Sequence, residues 1–181
     1  MSTVEGKSDP EQSAVVLRAP VSPVTRVVVG VDGSAGSAAA LRWAAAEALR
    51  RQAVLRIVSA WEEPAQPGPT PADHPAQAAA RLVQKALARV LSQQHYPRRI
   101  GCAALRGAPG EALLSQTRET DLLVLGAAEA DVAAMIGPTG LYCLQRGSNP
   151  LVLVPSATDG DRVAEYAHYA VTVPWRRFST G

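Results

Sequence analysis

The stretch TRVVVGVD, from Thr25 to Asp32, decides the fold that this sequence predicts. An uninterrupted run of valines is typical of a strand buried on both faces, as in a parallel sheet covered by helices. A helix is predicted directly after it, because Gly33 supplies a turn, Ser34 an N-cap, and SAAALRWAAAEALRRQ is rich in helix formers. The pattern therefore predicts a β-α unit and an α/β fold.

The same alternation continues along the chain. Further strands are predicted at Val54–Ala60, Ile100–Leu105, Asp121–Gly126 and in the LVLV between Pro150 and Pro155. Further helices are predicted at Ala76–Gln94, Gly110–Arg118 and Ile136–Gln145. Five strands joined by four helical crossovers predict an open, doubly wound parallel sheet with helices on both faces.

The chain of 181 residues is long enough for one domain with a sizeable core. Residues 25–155 carry the predicted strands and helices and form that domain. Residues 1–24 contain Ser, Pro, Glu and Gln without sustained periodicity, so we interpret them as a flexible N-terminal leader. Residues 156–181 follow the last predicted strand and form a C-terminal extension.

The extension holds half of the chain's aromatic residues. These are Tyr166, Tyr169, Trp175 and Phe178. Aromatic side chains beside arginines, here Arg176 and Arg177, are typical of contact surfaces. We expect the extension to pack back on its own domain or to form a dimer contact, with a separate protein partner as the alternative.

Composition and charge exclude several classes of protein. The net charge is only +2 and no cluster of Lys and Arg is dense, so we expect no nucleic acid partner. No apolar run approaches the roughly 20 residues that span a bilayer, and the start MSTVEGKSDPEQS is polar, so we expect a cytoplasmic protein without membrane contact. Cys102 and Cys143 lack the Cys/His spacing of a zinc site, which predicts two buried thiols and no metal.

The sequence does not predict a catalytic constellation. A nucleophilic triad needs a histidine and a carboxylate beside a Ser or Cys. His74 lies in the Pro-rich EEPAQPGPTPADHP, His95 at a helix end and His168 in the extension. Neither GxxxxGK[ST] nor GxGxxG is present, so the two commonest phosphate signatures give no support to a kinase, an NTPase or a dehydrogenase. We therefore expect no enzyme.

The chain resembles the universal stress protein family, in the style of its actinobacterial members. The resemblance covers Arg26 to Pro155 and rests on the order and separation of VVVGVDGS, LRWAAAEA, LRIVSAW, GAPGEALL, DLLVLG and NPLVLVP. It implies the Rossmann-like fold of the adenine nucleotide alpha hydrolases, with five parallel strands in the order 3-2-1-4-5. It also implies homodimers that pair through the last strand, and a ligand site at the carboxyl ends of the strands.

The resemblance implies a set of nucleotide-binding residues, with ATP as the candidate ligand. Asp32 and Ala60 match the positions that hold the nucleoside. Gly126, Gly137 and Thr139 match positions around the phosphates, where glycines let backbone amides approach closely. From the residues alone, Asp32 is equally well a turn residue that caps the first helix together with Ser34.

The segment GAAEADVAAMIGPTG departs from the phosphate-binding pattern of such members. Glu129 stands where a second glycine is needed, and the loop before Gly137 is shorter. Pro138 replaces the Ser or Thr after the last glycine and offers neither a hydroxyl nor an N–H. Glu129 and Asp131 also bring negative charge to the place of a triphosphate. We therefore expect ATP binding to be weak or lost.

Three functions follow from these patterns. The first is a non-catalytic module that acts in stress response or regulation through dimerisation and protein contacts. The second is a sensor that binds ATP or AMP through a variant phosphate loop. The third is a metal-dependent nucleotide hydrolase that uses Glu129 or Asp131 to hold the metal.

Overall fold

The computed structural model describes residues 15–16, 25–63, 74–127 and 136–155. The strands are β1 Val15–Val16, β2 Arg26–Gly30, β3 Val54–Trp61, β4 Ile100–Arg106, β5 Leu122–Gly126 and β6 Leu151–Val154. The helices are α1 Ala35–Arg50, α2 Pro75–Leu91, α3 Pro109–Ser115 and α4 Pro138–Arg146. Outside the described residues lie Glu129, Asp131, His168 and the aromatic residues Tyr166, Tyr169, Trp175 and Phe178.

The strands form one sheet in the order β1-β6-β5-β2-β3-β4. The five predicted strands are β2 to β6, and each is parallel to its neighbours among these five. Numbered in chain order, these five strands lie in the order 3-2-1-4-5, so the predicted topology is confirmed.

β2 lies in the middle of the sheet because its side chains are apolar on both faces of the strand. Val27, Val28 and Val29 are fully buried. The strand pairs with β3 on one side and β5 on the other, which satisfies its backbone groups. Successive side chains point to opposite faces, so Val27 and Val29 belong to one core and Val28 to the other.

Two helical layers enclose the sheet. The core with Val27 includes α1 and α2, where small residues such as Ala40 and Ala44 let α1 lie close to the strands. The core with Val28 includes Leu113 of α3 and Cys143 of α4. None of the helices in the described residues is long and apolar enough to cross a membrane.

Polar contacts secure the amino end of the sheet. Asp121, which was predicted to begin a strand, instead precedes β5 and is almost fully buried. Its Oδ2 accepts hydrogen bonds from Arg26 Nε at 2.9 Å and from the Arg118 backbone N–H at 2.8 Å. These contacts join the start of β2 to the turn before β5, and they compensate a carboxylate that would be costly to bury alone.

The first strand lies within the segment interpreted as a flexible leader. Val15 pairs with Leu153 and Val16 with Val152, antiparallel to β6. β6 is entirely apolar and buried, and an uncovered edge of such a strand would present unpaired N–H and C=O groups. A two-residue strand has no periodicity from which to predict it. At these residues β1 also occupies the edge through which the expected dimer would pair.

Deletion of residues 1–24 should uncover the β6 edge and increase self-association. Sedimentation velocity of full-length and truncated protein at matched concentrations measures this directly. We expect a larger dimer or oligomer fraction in the truncated protein, because the freed edge can pair with another copy. Equal sedimentation of both proteins at every concentration would show that β1 does not control access to this edge.

Candidate functional site

The carboxyl edge of the sheet brings together three of the predicted site residues. Asp32 follows β2, Ala60 is the penultimate residue of β3, and Gly126 ends β5. Because β2 pairs with both β3 and β5, these residues lie on three adjacent strands. The sheet edge is therefore the place where a ligand can touch all three strand ends, as is usual in open α/β sheets.

Asp32 begins a compact polar turn at the start of α1. Its Oδ1 accepts the Ser34 N–H at 2.9 Å, and Ser34 Oγ accepts the Ser37 N–H at 3.0 Å. Gly33 between them has φ 89°, a conformation that favours glycine. The predicted N-cap at Ser34 is confirmed, and Asp32 has the capping contact that was the alternative to ligand contact.

The electrostatics of this turn favour a charged Asp32. Burial raises the pKa of its carboxyl, but hydrogen bonds from Ser34 and Ser37 outweigh this effect and hold the pKa below its usual value. The residue as a whole is exposed. At neutral pH, Asp32 is a carboxylate that faces solvent and can accept hydrogen bonds from a ligand's hydroxyl groups.

The start of α1 lies directly against the end of β5. A Cβ atom on Gly126 would lie 2.2 Å from the backbone carbon of Gly36 and 2.5 Å from the Ser37 nitrogen. A Cβ on Gly36 would in turn lie 2.7 Å from the Ala127 carbonyl oxygen. These neighbours are backbone atoms, so they cannot move aside as a side chain can. The two glycines thus set how closely α1 approaches the site.

The phosphate side of the predicted site begins at α4. Gly137 is its N-cap and makes no side-chain capping bond, and Pro138 is its first residue. Proline has no N–H, so the first turn offers a ligand the amides of Thr139 and Gly140 instead. Thr139 is half-buried.

An aromatic cluster at the ends of β3 and β4 was not predicted. The ring of Trp61 lies 5.4 Å from that of His74, nearly perpendicular to it, and 5.9 Å from the Arg106 guanidinium carbon. Glu63 bridges the other two residues, with Oε1 3.3 Å from His74 Nε2 and Oε2 3.4 Å from Arg106 Nη2. The cluster forms a rim of the carboxyl edge next to Ala60.

His74 has a structural part in this cluster rather than a place in a triad. Its Nδ1 accepts the Ala76 N–H at 3.2 Å and so caps α2. The other ring nitrogen, Nε2, lies beside Glu63, so the imidazole ring links the start of α2 to the end of β3. The signal for this role was local, because Pro75 is the first residue of α2 and proline favours that position.

The cysteines do not form part of the edge. Cys143 is buried, and desolvation raises the pKa of its thiol to about 11. Cys102 is only half-buried, contrary to the expectation of two buried thiols, and burial also raises its pKa. Within the described ranges, no group of three or more His, Cys, Asp or Glu is placed to hold a metal ion.

The family model of the universal stress protein family matches residues 23–155, which is most of the chain. The chain belongs to the universal stress protein family. No curated protein matches this family member at a significant level.

Solved structures of universal stress proteins have the same fold. One, determined in complex with cAMP, is 25% identical, with a TM-score of 0.57 over 75% of this chain and 99% of that one. UspA from Lactobacillus plantarum is 23% identical, with a TM-score of 0.58 over 74% and 99% of the two chains. A protein from Arabidopsis thaliana with AMP bound is 14% identical, with a TM-score of 0.57 over 77% and 98%.

Substitution of Gly126 by Ala should destabilise this universal stress protein by about 3 kcal/mol, because the added methyl group meets backbone atoms of α1. Gly140→Ala is the matched control. Its Cβ would meet only side chains at 3.5 Å or more, and alanine is favoured in a helix by about 0.5–1 kcal/mol. Urea unfolding measures both changes. A Gly126→Ala protein as stable as the wild type would show that the approach of α1 to β5 is loose.

Proposed function

We propose that this chain is a non-catalytic binding module in stress response or regulation, and that its sheet edge binds an adenine nucleoside monophosphate in preference to ATP. The main support for the proposal is a difference between the nucleoside side and the phosphate side of the sheet edge. The nucleoside positions Asp32 and Ala60 are present at the ends of adjacent strands, whereas the phosphate side begins with Pro138.

The nucleoside part of the proposal is supported by Asp32. Asp32 is exposed, hydrogen bonds hold the pKa of its carboxyl below its usual value, and the residue follows β2 between the ends of β3 and β5. A carboxylate accepts two hydrogen bonds from a ribose diol without rearrangement, since it has two oxygens. Ala60 leaves the end of β3 small and apolar, which suits contact with a base.

The choice of monophosphate is supported by the phosphate side. In the sequence, Glu129 and Asp131 fall in the segment that the family resemblance assigns to the phosphates, and carboxylates repel a polyphosphate. Pro138 removes one amide from the start of α4. A single phosphate needs fewer donors and carries less charge than a triphosphate. Support also comes from two solved proteins of the same fold, one determined in complex with cAMP and one with AMP bound.

Calorimetric titration of AMP, cAMP and ATP into the purified protein tests the proposal. We expect AMP, whose ribose keeps both hydroxyl groups, to bind at least about tenfold more tightly than ATP with magnesium. We expect cAMP, whose 3′-oxygen is esterified, to bind more weakly than AMP because it can donate only one ribose hydroxyl to Asp32. Asp32→Asn keeps an acceptor for the Ser34 N–H but removes the charge, and should weaken monophosphate binding about tenfold. Glu62→Gln, which removes an exposed carboxylate after β3, is the matched control. Tighter binding of ATP, or no binding of any nucleotide, would contradict the proposal.

Restoring the phosphate pattern should restore ATP binding. The variant Glu129→Gly with Pro138→Ser removes a negative charge and returns an amide and a hydroxyl to the start of α4. We expect ATP affinity to rise about tenfold and AMP affinity to change less, since only the added phosphates gain contacts. Pro109→Ser makes the same change at the first residue of α3 and is the control. An equal gain in affinity for ATP and for AMP would argue that residues 129 and 138 do not determine the preference between these two nucleotides.

Partners form the second part of the proposal. A homodimer, a cytoplasmic location and a protein contact through the C-terminal extension remain predictions. The alternative function is a metal-dependent nucleotide hydrolase. Incubation of ATP with the protein and magnesium or manganese distinguishes a hydrolase from a binding module, because a binding module leaves ATP intact.

A further inference from the structure

A groove between α1 and α2 adjoins the Asp32 turn, with which it shares Gly33, Ser34 and Ser37, and reaches from there to α2. Its volume is about 110 Å³, against roughly 10–15 Å³ for a single water measured in the same way. One wall is formed by the start of α1 and the other by the middle of α2. The lining on the α1 side comes from the turn after β2 and from the first half of α1, and it includes Val31, Ser34, Ser37, Ala38 and Leu41.

The α2 wall supplies the only described charges that line the groove, and both are positive. Lys85 and Arg89 are four residues apart on α2 and therefore on the same face, with Leu82 and Ala86 beside them. α2 contains no Asp or Glu, so the helix itself does not compensate this pair. Two like charges at this spacing destabilise a helix slightly, and an anion between them would remove that repulsion.

The floor of the groove is apolar and firmly placed. Val31 and Leu41 are buried in the core under α1. Gly33 presses against α2, because a Cβ on it would lie 3.1 Å from Leu82 Cδ2. Lys85 and Arg89 line the groove and are exposed, so their hydrocarbon stems can cover this floor while their charged groups reach solvent. The groove thus combines an apolar base with two cations at its opening.

We propose that this groove binds a small phosphate ester, with the phosphate between Lys85 and Arg89 and the hydrocarbon part over Leu82 and Leu41. Lys and Arg are the usual donors to phosphate, and such charge-assisted bonds are stronger than neutral ones. The apolar floor favours an ester with an apolar body over free phosphate. The groove shares Ser34 and Ser37 with the Asp32 turn, but the proposal depends on Lys85 and Arg89 of α2, to which the nucleotide function assigns no role.

The test is a titration of ¹⁵N-labelled full-length protein with phenyl phosphate and with inorganic phosphate. We expect the amide signals of Leu82, Lys85 and Ala86 to shift saturably, with phenyl phosphate binding more tightly. The signals of Gly126 and Gly137 report separately on the sheet edge. Shifts confined to those two glycines, or an absence of saturable shifts in α2, would overturn the proposal.

Substitutions of Lys85 and Arg89 test whether these two charges themselves bind the phosphate, rather than the net charge of the protein. Lys85→Gln with Arg89→Gln should weaken phenyl phosphate binding about tenfold or more. Arg98→Gln with Arg99→Gln removes the same charge from exposed positions before β4 and should change the affinity less than about twofold. The exchange Lys85→Arg with Arg89→Lys keeps both charges and should keep binding. If both double Gln variants lost the same affinity for phenyl phosphate, the net charge of the protein would explain the loss, and the proposal would be overturned.

Discussion

The burial of β2 on every side is the constraint on which the molecule depends. Its three central valines have no solvent contact, and each of its neighbours in the sheet is parallel to it. A strand in this position needs a helical layer on each face, and parallel neighbours need crossover connections that supply those layers. The carboxyl ends of β3 and β5 are then brought to either side of Asp32, so the core also creates the candidate site.

The strands and helices of the sheet could be predicted because their signals are local, whereas the strand order 3-2-1-4-5 was implied by the family resemblance. The valine run, the Gly-Ser turn after it and the apolar segments at regular separation each identify an element, and the handedness of crossovers limits how they assemble. The short β1 could not be predicted this way. Its place is decided by the open edge of β6, which lies far along the chain.

The candidate site, too, could be predicted from the sequence only in part. The turn from Asp32 to Ser37 was predictable because all its hydrogen bonds lie within a few residues. The approach of Gly36 to Gly126 was not, since it joins residues from opposite halves of the chain and glycines carry no pattern of their own. The same applies to Trp61 and Arg106, which come together only because β3 and β4 pair at their ends.

The contact between Glu63 and His74 joins the two ends of the connection from β3 to α2. Since β3 and α2 also pack in the same core, a change in the number of residues between them alters mainly the closure entropy of the connection. That entropy grows slowly, by about 0.6 kcal/mol for each doubling of length. Residues 64–73 are therefore a place where evolution or an engineer can insert sequence, such as a peptide tag, while β3 and α2 keep their positions.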